Sequence, residues 1–230
     1  MRSRKLMGVL AGLFFAVACL WTPANRAEDF SDTTGSVKWK VFEYHRGRLR
    51  ATRLPYRVTE GIAFDFLETP DTASLLTPHH SYGGELLGDL SGKILQAVVE
   101  IEVTPGTEFT YSGDPDACGG PANVRFYFET DTTGRFEETD YWWSNLHPGL
   151  ETLTDQLIMI FPMSFPSLWT DDKGHLGSTD AAHEAAFADA VRNVRRIGLS
   201  FGGGCSHGNG AGIRPGTGSG YFNLKGFYVY

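Results

Sequence analysis

Short apolar runs that alternate with polar residues, each closed by glycine or proline, limit what this chain can fold into. Residues 94–103 (Ile-Leu-Gln-Ala-Val-Val-Glu-Ile-Glu-Val) stop at Pro105-Gly106, and Val124, Phe126 and Phe128 alternate with Arg125, Tyr127 and Glu129. Successive side chains of a strand point to opposite faces, so a period of two marks a strand with one buried face. Comparable runs fall at 37–44, 56–66, 109–111, 135–144, 156–163, 197–204 and 220–230. Residues 45–50, 70–84 and 112–121 read as turns and loops, the last two from their density of Gly and Pro. One helix is expected at 180–196, where Ala182, Ala186, Phe187, Ala190, Val191 and Val194 form a stripe. Thr179 or Asp180 caps its start and Arg192, Arg195 and Arg196 crowd its end. One helix is too few for alternating βα units. The expected fold is therefore all-β: a two-sheet antiparallel β-sandwich, jelly-roll-like, with one packed α-helix, and an up-and-down barrel as the alternative.

The first residues point to export. Arg2, Arg4 and Lys5 precede an apolar stretch from Leu6 to Trp21, and a small-residue exit follows at Ala24 to Ala27. That pattern describes a signal peptide over residues 1–27, leaving a single sandwich domain at 28–230 in a secreted or periplasmic protein. Ala16-Val17-Ala18 before Cys19 is a second exit, close to a lipoprotein site. No later segment is long and apolar enough to span a membrane. Residues 1–27 carry four basic side chains and no acid, so their removal takes the formal charge from −7 to −11. Such a charge disfavours nucleic acid and anionic membrane as partners.

Cys118 and Cys205 remain after Cys19 leaves with the signal. In an oxidising compartment the pair is expected to form a disulfide, with two free thiols as the alternative. Antiparallel pairing of residues 122–129 with 197–204 would bring the start of one strand beside the end of the other, and the two sulfurs with them.

Four segments carry a resemblance: Gly88-Asp-Leu-Ser-Gly-Lys-Ile-Leu leading into a strand, residues 157–164 leading to Trp169, the helix feeding Ile197-Gly-Leu-Ser-Phe-Gly-Gly, and a closing strand at 218–229. Together, over residues 36–230, the layout resembles a carbohydrate-binding-module-like domain of the galactose-binding-like β-sandwich superfamily. The resemblance implies glycan binding by end loops or a concave sheet face, and allows a structural calcium ion. Unlike many such modules, this one stands alone after its signal.

The candidate ligand site is Tyr141-Trp142-Trp143-Ser144-Asn145. Trp142 should not share a face with Tyr141 and Trp143, so one indole is expected outward, stacking on a sugar ring. Asn145, Arg125 and Trp169 would frame it. Core or interface packing of all three rings is the competing reading. Asp171 and Asp172, beside Trp169, could support calcium, although the spacing is not that of an EF-hand. His79, His80 and His207 lack zinc-site spacing, so no metal centre is expected from them. Glu100 and Glu102 should face one side, about 7 Å apart. They are the one pair worth testing for glycoside hydrolysis. No nucleophile elbow or phosphate loop is present. The reading is a non-catalytic binder of a carbohydrate or envelope glycan, with a periplasmic or surface interaction domain as the alternative and a hydrolase behind both.

Overall fold

The computed structural model describes residues 26–28, 30, 38–46, 48–78, 86–112, 120–130, 137–204 and 208–230. They form two antiparallel sheets and one helix. The strands are β1 (Arg26–Glu28), β2 (Trp39–His45), β3 (Arg48–Arg53), β4 (Tyr56–Val58), β5 (Gly61–Asp65), β6 (Asp71–Pro78), β7 (Ile94–Val103), β8 (Phe109–Tyr111) and β9 (Asn123–Glu129). They continue as β10 (Tyr141–Ser144), β11 (Leu157–Pro162), β12 (Trp169–Thr170), β13 (Arg196–Gly202), β14 (Ala211–Ile213) and β15 (Gly220–Val229), with helix α1 (Ala181–Arg192) before β13. The first sheet runs β11-β7-β15-β5-β4, with β1 also on β15. The second runs β12-β10-β9-β13-β6-β14-β8, with β2 on β6 and β3 on β2. The expected two-sheet sandwich with one helix is the fold.

The core lies between the sheets because the alternation aims it there. Leu95, Ala97, Val99 and Ile101 of β7 are buried while Gln96, Val98 and Glu100 are only half-buried. Beside them, Phe64 and Phe222 of the same sheet meet Phe201 of the second sheet and each other edge-on or tilted, with ring centroids 4.9–5.6 Å apart. Contacts of this kind add about 0.5–1.5 kcal/mol per aromatic pair beyond area burial. The pairing on which the sequence argument rested is present: β9 and β13 run antiparallel from Asn123 opposite Gly202 to Glu129 opposite Arg196. Cys118 and Cys205 lie outside the described residues.

Two expectations need correction. Residues 70–84 were expected as loop, yet Asp71–Pro78 is β6, hydrogen-bonded between β2 and β13. Of Thr-Ala-Ser-Leu-Leu-Thr only the threonines favour a strand; pairing with β2 on one side and β13 on the other holds the segment extended. The strand expected within 56–66 is β5, and the short β4 ahead of it pairs with β5 as a hairpin turning at Gly61, where φ is +122°. Residues 48–50, expected as turn, begin the mostly exposed strand β3. The boundary at Ala27 also falls inside β1, whose residues Arg26, Ala27 and Glu28 pair with Val229, Tyr228 and Phe227.

Helix α1 begins where Asp180 accepts a hydrogen bond from the His183 N–H at 2.9 Å, the cap that its sequence suggested. It is shorter than expected, ending at Arg192 because β13 starts at Arg196. Phe187 sets its edge on Trp142 at 5.1 Å and also meets Phe128 and Trp169. The helix is thereby docked on the β10–β12 margin of the second sheet.

Candidate ligand-binding face

The tryptophans expected to stack on a ligand have other work. Trp142 and Trp143 do point to opposite faces: Trp142 enters the core against Phe128 and Phe187, while Trp143 lies between Tyr127 and Tyr141. Neither presents a ring to solvent, with exposures of 0% and 6%, and Trp169 is also at 0%. Each indole N–H is taken inside the protein, by the Thr139 carbonyl, the Ser200 hydroxyl and the Pro162 carbonyl respectively. The outward indole is therefore overturned, because both faces of β10 are covered.

Arg125 and Asn145 are similarly committed. The Arg125 guanidinium donates to Asn123 Oδ1 at 3.1 Å and to the Ser144 carbonyl at 3.0 Å, and burial pulls its pKa down to about 10. Asn145 Oδ1 accepts from the Thr170 hydroxyl and its Nδ2 donates to the Ser167 carbonyl, which ties β10 to β12. These residues do cluster, as the sequence suggested, but as a buried brace. Next to them the outer face of β9 is also buried. There Glu129 accepts from the Tyr127 hydroxyl at 2.5 Å and from Arg196.

The solvent-facing polar surface with aromatic rings lies on the first sheet. Registry builds it in rows. Asp65, Tyr221 and Glu102 stand side by side on β5, β15 and β7, and two residues along come Ala63, Asn223 and Glu100. Tyr56 of β4 sits opposite Ala63, whose small side chain lets the tyrosine lean toward Asp65 and donate to it at 2.9 Å. Tyr221 hydrogen-bonds Glu102, which pushes the phenol up to about 12. Burial, reinforced by the bond to Asp65, likewise raises Tyr56. Both phenols thus stay protonated and hold their carboxylates in place, leaving further carboxylate lone pairs for outside donors. Lys225 spans Glu100 at 2.8 Å and Glu60 at 3.3 Å. At the centre, the buried Asn223 Oδ1 has no hydrogen-bond partner. A shallow depression of about 340 Å³ opens beside Tyr221, lined by Asp65, Glu102, Thr104 and Ser219.

Glu100 and Glu102 share this face, as alternation requires, but they are engaged by Lys225 and Tyr221. Sequence reasoning passed over Tyr56 and Tyr221 because aromatic residues in strands read as core. The signal available was their parity: Tyr221 alternates with the core residues Phe222 and Leu224.

The Asp171 turn differs from a pair of exposed acids. Asp171 is fully buried, and its Oδ1 accepts the backbone N–H groups of Lys173 and His175 at 2.9 and 2.8 Å. Its Oδ2 faces two imidazoles rather than Asp172. Among the described residues Glu138, Asp171, His175 and His183 are the one group of at least three metal-ligating side chains drawn together. Two nitrogens in that set do not suit calcium, which takes oxygen ligands. His79, His80 and His207 lie outside the described residues. No helix among the described residues is long and apolar enough to cross a membrane. In comparison with known proteins, the chain matches no protein-family model, no curated protein and no solved structure.

Proposed function

We propose that this protein is an exported, non-catalytic binder of a neutral carbohydrate, and that the outer face of the first sheet is its binding surface. One observation carries the reading: Tyr56 and Tyr221 stand on an open strand face, each holding a carboxylate beside its ring. Sugar rings offer an apolar face to an aromatic side chain and hydroxyl donors to carboxylates. With Glu60, Asp65, Glu100 and Glu102 around Lys225, the patch is acidic and repels sulfated or uronate polymers. Hydroxyls give up water on both partners, so affinity in the micromolar to millimolar range is expected. The superfamily resemblance agrees with binding on a sheet face, but the stacking residues move from Trp142, Trp143 and Trp169 to Tyr56 and Tyr221.

A glycan array with wild type, Tyr221→Ala and Tyr56→Ala tests it. A specific neutral-sugar signal lost in both folded variants supports the reading. The same signal unchanged in both, or no signal from the wild type, ends it. A second reading, a protein-interaction domain, is favoured by Ile158 and Ile160 on the edge strand β11, which are 52% and 61% exposed. It predicts a defined oligomer and a blank array.

A further inference from the structure

We infer that Glu138, Asp171, His175 and His183 form a binding site for a divalent transition metal, zinc being the best fit. The site is independent of the sheet face. Its ligands come from three separate segments: Glu138 from the 3-10 turn Glu138–Asp140 ahead of β10, Asp171 and His175 from the turn after β12, and His183 from the first turn of α1. Each offers one ligand atom, and these atoms all lie within 4.8 Å of one another.

Geometry separates this from a chance meeting of charges. The two N–H groups held by Asp171 Oδ1 fix the carboxylate and turn Oδ2 toward the imidazoles. His175 Nδ1 stands 3.2 Å from that oxygen and His183 Nε2 stands 3.7 Å from it. A tetrahedron with metal–ligand bonds of roughly 2.0–2.1 Å has edges of about 3.3 Å, close to both separations. A hydrogen bond explains the shorter contact but not the longer. His183 Nδ1 is 2.8 Å from Asp180 Oδ1, a contact that turns Nε2 toward the Asp171 carboxylate. The Asp180–His183 contact also reproduces the carboxylate–histidine–metal relay that orients ligating imidazoles. The two rings sit 5.0 Å apart at 66°, with neither stacked over the other's ligand nitrogen.

Mixed imidazole and carboxylate donors suit zinc, copper, nickel or cobalt rather than magnesium or calcium. Four candidate protein ligands make a closed, structural type of site. Glu138 and His175 are exposed at its mouth and Asp171 is sealed at its base, so the ion would enter from solvent and pin the helix to the β12 turn.

The test is zinc titration of the EDTA-stripped full-length protein by calorimetry, with thermal melts and the visible spectrum of a cobalt-substituted sample. One ion per chain is expected, with tetrahedral cobalt bands. Zinc at a hundredfold excess over Kd is expected to raise Tm by about 5–10 °C. Glu138→Gln and His175→Gln, at exposed positions that leave the fold intact, should each weaken binding at least tenfold. Asp180→Asn should weaken it about 10–100-fold. His45→Gln, remote from the site, should change nothing. No one-to-one zinc binding, or binding and melts unaffected by Glu138→Gln and His175→Gln, would mean an ion-paired cluster only and would overturn the inference.

Discussion

Arg196→Met probes how a charge survives on the buried side of the second sheet. Glu129 is only 4% exposed at its side chain, and one Arg196 guanidinium nitrogen lies 2.8 Å from one carboxylate oxygen and 3.0 Å from the other. Removing one partner of a fully buried ion pair costs about 3–5 kcal/mol. Arg196 is partly exposed, which lowers the figure, while its position over the Phe42 ring at 5.7 Å adds a little back. A loss of about 2–4 kcal/mol at pH 7 is expected. Urea unfolding should show it as a midpoint lower by roughly 1–2 M.

The pH dependence gives the sharper check. Burial raises the Glu129 pKa even though Arg196 opposes the rise. A group whose pKa is raised in the folded state contributes stability that is fully present below its unfolded value and lost as pH rises through the folded value. Without Arg196 that folded value climbs further. The variant's deficit should therefore shrink as pH falls toward about 4.3, the unfolded Glu value, and widen toward neutrality. Adding Glu129→Gln to Arg196→Met should restore much of the loss at pH 7, since no buried charge remains. A deficit below about 1 kcal/mol, or one equal at both pH values, refutes the argument.

Phe187→Ala removes the ring that docks α1 on Trp142 and should cost about 3–5 kcal/mol by thermal or urea unfolding. The same variant should weaken zinc binding, because α1 carries His183. Gly61→Ala would place its Cβ 2.3 Å from the Leu224 carbonyl oxygen at a φ of +122°, so at least about 2 kcal/mol is expected by urea unfolding. Gly174→Ala, at a φ of +85° with no atom within 4 Å of the new Cβ, should cost only about 1 kcal/mol. If the proposed export involves removal of a leader, the intact mass of the mature protein should place its N-terminus upstream of Arg26, since cleavage after Ala27 removes two of the three residues of β1.

Much of the fold was readable because it depends on local alternation. The parity of 122–129 gave its inward face, its antiparallel pairing with 197–204 was the expectation that the structure bears out, and the Asp180 cap marked the start of the helix. Sites were harder to read, for physical reasons. Asp71–Pro78 looked like loop because punctuating residues flank a segment of weak β propensity, which becomes a strand only through its two neighbours. Trp142 and Trp143 were correctly sent to opposite faces, but parity does not reveal whether a second layer covers the outer one. The metal ligands lie on three segments, and only the 171–175 spacing is local; α1 brings His183 to it through the packing of Phe187. Tyr221 and Asp65 are 156 positions apart in sequence and adjacent only through strand registry.

The arrangement of the first sheet also bears on how the protein is made. Its central strand, β15, follows every other strand in sequence, yet β7, β5 and β1 all hydrogen-bond to it. Until residues 220–229 emerge from the ribosome, those three neighbours have no partner along that side. The first sheet therefore cannot close during synthesis before β15 arrives, and its inner faces must stay open or covered by other means until then.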